Sequence, residues 1–401
     1  MSTILVTYEL GAGLGHLNRL VAVAQRLKGD HNWVFALPDR TLGEPIVRRA
    51  FGDKARVLEG ARWQVPNDPN VRNIPTHTFA DVIAIIGFND GSKLSAKTAH
   101  WHSVLQEVVP NLIIADFAPT LRLAIGSKVP FVVVGNGYTV PPRGQLLPPI
   151  RPWETRVSAR SRANEGRLLA AVNVVRAQLR GDAIDFFSDL FSGEHTFVCT
   201  LPEFDPYRRF RCGPTLWPFN IPDVPLGPPA AQRSGPTIFA YLPANHPALS
   251  AVISALNDLK LPSEIYVSGI TAQTLAKRCH QAVRIHGKPA DLAHVLPNTS
   301  LLIHHGGLGT AYAGLLAGVP QLVLPFNLEH SITAAGLEHF GVAKSRPARA
   351  AAVATDMRIL ISSLLQDAQR QEAAIKAARD LSVRRIADPI SEVVQACHQH
   401  L

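Results

Sequence analysis

The feature that most constrains this chain is a strand–helix alternation that runs, breaks at proline-rich stretches, and then starts again. Short aliphatic and β-branched runs at 4–8, 33–37, 56–58, 112–115 and 131–134 are separated by longer segments. Between the first two runs, Leu17, Leu20, Val21, Val23, Ala24 and Leu27 recur at helical spacing up to Gly29. Strands apolar on both faces and separated by helices predict a parallel sheet of right-handed βαβ units. The pattern breaks after Tyr138 at PPRGQLLPPIRPW, and a long helix is expected over about residues 165–191. A second break, WPFNIPDVPLGPPAAQRSGP at 217–236, has six prolines in twenty residues and favours an extended linker. The alternation then restarts at 237–242, 264–268, 283–286, 300–304 and 321–324, and 356–401 reads as helical.

These breaks predict an N-terminal Rossmann-like domain over 1–216, a linker over 217–236 and a second such domain over 237–380. A C-terminal helix over 381–401 is expected to pack back toward the first domain. Two α/β domains of this kind should face a cleft, with ligands outside the carboxyl ends of the strands. At 401 residues, 46% hydrophobic and 18% charged, the chain can fill two cores, which excludes disordered and fibrous classes. Its net charge of +9 favours anionic partners. Cys199, Cys212, Cys279 and Cys397 have no paired spacing, so neither structural zinc nor a disulfide framework is expected. The start MSTILVTYEL has no basic stretch leading into a long apolar one, and a cytoplasmic location is expected.

Three segments carry candidate chemistry. GAGLGH, with Gly11, Gly13 and Gly15 before His16, joins the first strand to the first helix. It is either a tight strand-to-helix turn or a loop that presents His16 as a general base. LIIADFAP ends a buried strand at Asp116, which is either a helix cap or a carboxylate orienting His16. In HHGGLGTAYAGLLAGVPQLVLPFNLEH, a strand runs into His305, Gly306, Gly307, Gly309 and Thr310 at a helix start. Free N–H groups and the positive dipole end there suit an anion. The segment ends at Asn327, Glu329 and His330, where Asn327 is also a natural helix cap. No Asp-x-Asp, Walker or His-Glu-x-x-His pattern occurs, so no catalytic metal is expected.

On these residues the sequence resembles the GT-B nucleotide-sugar glycosyltransferases, and more closely the UDP-glycosyltransferase-like enzymes that include bacterial macrolide and glycopeptide transferases. The resemblance covers 4–28, 111–135 and 283–337, and its most specific part is the histidine and glycines followed by L-x-x-G-x-P-x-x-x-x-P. It implies an inverting, metal-independent transfer from a UDP- or dTDP-type sugar to a hydroxyl of a small-molecule or lipid acceptor. It implies that His16 deprotonates the acceptor and Asp116 orients His16. It further implies that His305, Gly306, Gly307, Gly309 and Thr310 bind the diphosphate, while Glu329 and His330 meet the donor sugar. The chain departs from the pattern at His330, where the family has glutamine, at Gly287, where plant members have a stacking aromatic, and at Ala313, where many members have a ribose-binding acid. An epimerase or hydrolase of the same fold, and a silent nucleotide-sugar-binding protein, are the alternatives. No cofactor and no nucleic-acid partner are expected. The Arg-rich segment 151–180 is either a solvated basic face or a peripheral membrane contact at the inner face.

Overall fold

The computed structural model describes residues 1–11, 14–64, 75–125, 129–219, 221, 224–225, 237–351, 353–386 and 388–401. The expected loop glycine Gly13 and most of the 217–236 stretch lie outside them. The chain divides into two compact units, Met1–Asn220 with Ala387–Leu401, and Ile221–Ile386.

The first unit holds β1 (Ser2–Tyr8), β2 (His31–Leu37), β3 (Ala55–Glu59), β4 (Leu112–Asp116), β5 (Phe131–Gly135) and β6 (His195–Val198). They form one parallel sheet in the order β3-β2-β1-β4-β5-β6. The second unit holds β7 (Ile238–Pro243), β8 (Ser263–Ser268), β9 (Val283–His286), β10 (Leu301–His304), β11 (Gln321–Val323) and β12 (Ala343–Ser345). Their order, β12-β11-β10-β7-β8-β9, repeats the first topology. Two doubly wound Rossmann-like sheets make this the GT-B fold. In each, the strand order reverses once, between β1 and β4 and between β7 and β10, and crevices open at such switch points.

Each sheet is covered on both faces, which is why its strands read as unbroken apolar runs. On one face of the first sheet, Ile4, Val6, Phe35 and Ile114 pack with Leu17, Leu20 and Val23 of the helix Gly15–Arg26. On the other, Leu5, Ile113 and Val133 pack with Trp101 and Val104 of the helix Gly91–Val108. The helix Ile390–His398 completes the first layer by burying Val393 and Cys397 against it. Its predecessor, Ala368–Arg384, buries Ala374, Ala377, Ala378 and Leu381 and stays with the second unit. The change of unit therefore comes at Ile386 and not at residue 380.

The expected helix over 165–191 is displaced. It runs Ala159–Gln178, Arg180 takes a left-handed φ of +57°, Gly181 follows, and only a short 3-10 turn forms at Phe187–Phe191. Arginines of the 151–180 segment serve partly as internal ties: Arg162 donates to the Leu147 carbonyl at 2.9 Å and to Glu165 at 3.1 Å, and Arg151 donates to the Thr76 carbonyl. The C-terminal stretch is helical in three pieces, Ala354–Leu365, Ala368–Arg384 and Ile390–His398. Among the described residues, no helix is long and apolar enough to cross a membrane.

Val393 is fully buried beneath the first sheet. Val393→Ala should therefore lower the unfolding free energy by about 2 kcal/mol, the transfer and cavity cost of two methyl groups. Denaturant titration checks this; an unchanged midpoint would detach the C-terminal helix from the first core.

Candidate active site

At the first switch point, β1 and β4 run side by side with Tyr8 opposite Asp116. All of β4 is buried, and it ends on Asp116 with no solvent exposure. The chain then turns through Phe117, whose φ of +49° lets its carbonyl accept the Glu9 and Leu10 amides at 3.3 and 3.1 Å. That stitch fixes the two loops that carry the candidate dyad. His16 stands in the first turn of the helix Gly15–Arg26, stacked on Tyr8 with ring centroids 5.6 Å apart. Its Nδ1 lies 2.7 Å from Asp116 Oδ2. Gly11 is required here: its φ is +107°, and a Cβ would fall 2.2 Å from His16 Nε2.

Sequence reasoning passed over Arg19. Its guanidinium donates to the same Oδ2 of Asp116 and is nearly as buried as the carboxylate. The signal was present, since residues three apart share a helix face. Thr139 adds a hydroxyl to Oδ1 at 3.3 Å. Burial pushes the Asp116 carboxyl up, but the His16 ring and the Arg19 guanidinium outweigh it and hold the group below the usual carboxylate range. Glu9 was also missed. Buried in the β1 loop, it accepts from Trp63 Nε1 at 2.5 Å and from the Thr120 amide at 2.9 Å, anchoring the start of the helix Pro119–Ile125. Burial raises its carboxyl pKa despite these bonds.

In the second unit, β10 ends at His304, and the turn leads into the helix Leu308–Leu316. Gly306 takes φ +105° and packs so closely on His330 that a Cβ would lie 2.9–3.1 Å from its Cβ, carbonyl oxygen and Cα. Gly307 is the N-cap and supplies no side chain, so no side chain caps this helix start. A Cβ on Gly309 would meet open space. His305 packs edge-on against Tyr241 and His330, with centroids 5.2 and 4.8 Å away, and Phe326 covers His330 at 4.7 Å. Nδ1 of His305 and Nδ1 of His330 are buried without a hydrogen-bond partner among the described residues. Burial lowers the pKa values of His305 to about 4 and of His330 to about 3. Asn327 caps the helix Leu328–His339 by accepting the His330 amide at 2.8 Å, and Glu329 lies in its first turn.

The support beneath this loop was also missed. His304 Nε2–H donates to Gln321 Oε1 at 2.9 Å, Gln321 donates to the Ala311 carbonyl at 3.1 Å, and the Gly306 amide donates to His304 Nδ1 at 3.2 Å. This closed chain holds the glycine turn and requires a neutral ring. His246 donates through Nε2 to the Leu324 carbonyl at 2.8 Å and accepts the Ala248 amide at 3.2 Å. In the sequence His304 read only as the strand's last residue. Gly11, His16 and Asp116 thus meet in the first unit, with Gly15 at the head of the His16 helix. His305, Gly306, Gly307, Gly309, Thr310, Glu329 and His330 fall on two neighbouring helix starts of the second.

Residues 260–399 match the family of erythromycin biosynthesis protein CIII-like C-terminal domains. The chain is 26% identical over 349 residues to L-demethylnoviosyl transferase of Streptomyces niveus, which spans 84% of this chain and 83% of that one. It is 25% identical over 336 residues to a PGL/p-HBAD biosynthesis glycosyltransferase of Mycobacterium tuberculosis, spanning 72% and 74%. Among solved structures, glycosyltransferase VinC in complex with DTDP superposes with a TM-score of 0.65 at 18% identity, covering 99% of this chain and 100% of that one. Spinosyn rhamnosyltransferase SpnG, complexed with spinosyn aglycone, also gives 0.65 at 18%, covering 98% and 99%.

His304 carries a pH prediction. Burial lowers its pKa to about 3, so between there and the ordinary value of about 6.5 the unfolded chain binds the extra proton. Stability therefore rises with pH across this window and falls on acidification by about 1.4 kcal/mol per pH unit from this ring. His304→Gln should flatten the dependence of the second unit's melting temperature between pH 6.5 and 4.5. An equally steep slope in the variant would contradict the buried neutral ring. Residues 260–399 thus resemble the erythromycin CIII-like domains, and the whole chain is similar to bacterial glycosyltransferases and shares the GT-B fold of VinC and SpnG.

Proposed function

We propose that the protein is an inverting glycosyltransferase whose first unit holds a hydroxylated acceptor and whose second unit holds a UDP- or dTDP-type sugar. The observation that carries this reading is the 2.7 Å contact of His16 Nδ1 with the buried Asp116. A carboxylate there keeps the hydrogen on Nδ1 and leaves the Nε2 lone pair for the acceptor's hydroxyl proton. The acceptor oxygen attacks the anomeric carbon as Nε2 takes that proton, and Asp116 stabilises the imidazolium that results. A base so held contributes about 10²–10⁴ in rate.

The departing diphosphate is received by the first-turn amides at Gly309 and Thr310, with His305 beside them and no metal in the step. The open space over Gly309 and the unpartnered Nδ1 atoms of His305 and His330 support this assignment. Glu329 and His330 then meet the sugar. A thymidine diphosphate is bound in the structural neighbours VinC and SpnG, which supports a nucleoside-diphosphate donor. SpnG also takes an aglycone, which supports a small hydroxylated acceptor.

His16→Ala should lower turnover at least about 10²-fold with donor affinity unchanged, because a base acts in the transition state. Asp116→Asn should cost nearly as much, and the double variant little more than the worse single one. Transfer from UDP- and dTDP-hexoses to a panel of hydroxylated aglycones is the assay. Full activity in His16→Ala, or losses that multiply, would contradict the dyad.

A further inference from the structure

We propose that Arg19 is a positioning residue of the His16–Asp116 pair, a permanent counter-ion that keeps His16 an uncharged base in the resting protein. The proposal rests on the reading of His16 as the base. Its ground is one oxygen: Asp116 Oδ2 meets His16 Nδ1 at 2.7 Å and also accepts from Arg19 Nη1. Both side chains come from one face of the helix Gly15–Arg26, three residues apart. Asp116 is fully buried, and the side chains of Arg19 and His16 are 9% and 12% exposed, so water screens the three groups little.

Charge counting then decides the resting state. With Arg19 present, a neutral His16, an ionised Asp116 and the guanidinium sum to zero. Without Arg19, a neutral His16 would leave a lone buried carboxylate, and the pair would take up a proton to reach neutrality. Among the described residues, the other groups facing the pair add no charge of their own. From β1 comes Tyr8, whose phenol is raised by burial and by Asp39. From the end of β6 comes Cys199, whose thiol burial pushes to about 12. Thr139 supplies a hydroxyl, Phe117 a ring and Gly11 backbone alone. Arg19 thus favours a free Nε2 lone pair before the acceptor arrives. It also makes the imidazolium formed during transfer short-lived, since that state carries a net positive charge.

The test follows the His16 ring nitrogens by two-dimensional ¹H–¹⁵N NMR in the full chain, with the signals assigned by their loss in His16→Gln. In the parent protein at pH 7 the ring should be neutral with its hydrogen on Nδ1; an imidazolium there overturns the proposal. In Arg19→Gln, which can still donate to Asp116 but carries no charge, the titration midpoint should rise by about one pH unit or more. Arg19→Lys should shift it less, and an unmoved midpoint in Arg19→Gln overturns the proposal even if that variant is slower. The acidic limb of kcat/KM should move upward with the midpoint while the plateau changes less than about tenfold. A merely structural loss would instead lower the rate at every pH without moving the limb, and that result also overturns the proposal. A midpoint that shifts while the limb stays still upholds Arg19 as the counter-ion and removes His16 as the base. If Arg19→Gln does not fold, Arg19→Met takes its place, with the same upward shift expected and an unmoved midpoint overturning the proposal.

Discussion

A carboxylate with no solvent exposure, at the end of a fully buried strand, is the constraint around which the first unit is arranged. Burying Asp116 alone would cost several kcal/mol, and such a group persists only when its lone pairs are met. The chain meets them with a helix that begins directly after β1 and carries His16 and Arg19 on one face. Gly11 is the other half of that solution, because the loop has to pass within the radius of a methyl group of the His16 ring. What looks from the outside like a base with its orienting acid is therefore also the way the fold tolerates a charge in its core.

The same strand order is used twice, with different chemistry at the switch point. Between β1 and β4 stand His16 and the charged pair Asp116 and Arg19. Beside β10 stands a turn without charged side chains, three of whose residues are glycines, backed by His304 and Gln321. On the proposed function, the difference follows from the task. A base has to hold and release a proton, so its surroundings are charged and close. A diphosphate brings its own charge, so backbone amides and neutral rings suffice and avoid adding a buried cation that would need a partner. Burial keeps His304, His305 and His330 uncharged near neutral pH, in keeping with that division.

Much of this was legible in the sequence, for physical reasons that also explain the omissions. The central strands β1, β2, β4, β5, β7, β8, β10 and β11 announce themselves because a central parallel strand has to be apolar on both faces, and the edge strands β3 and β9 still carry short aliphatic runs. The edge strands β6 and β12 do not: HTFV and AKS are short, partly polar and paired on one side only. The helix expected over 165–191 stopped at Gln178 because the backbone at Arg180 turns left-handed, which no apolar spacing records. His16 and Asp116 stood out as polar residues ending apolar strands or opening glycine turns. Arg19 did not, because an arginine on an amphipathic helix reads as its wet face, and only the position of β4 turns it inward. Gln321 and His304 were hidden the same way, each a polar residue within a buried strand whose partner is seventeen residues away.

The central claim is that one base-activated hydroxyl displaces the diphosphate in a single step. The most direct measurement is the anomeric configuration of the transferred sugar, read from the ¹H NMR coupling of its anomeric proton and compared with that of the donor. The account predicts inversion in every product. Retention of the donor's configuration would require either two displacements or a different attacking group, and would contradict the role given to His16 and Asp116.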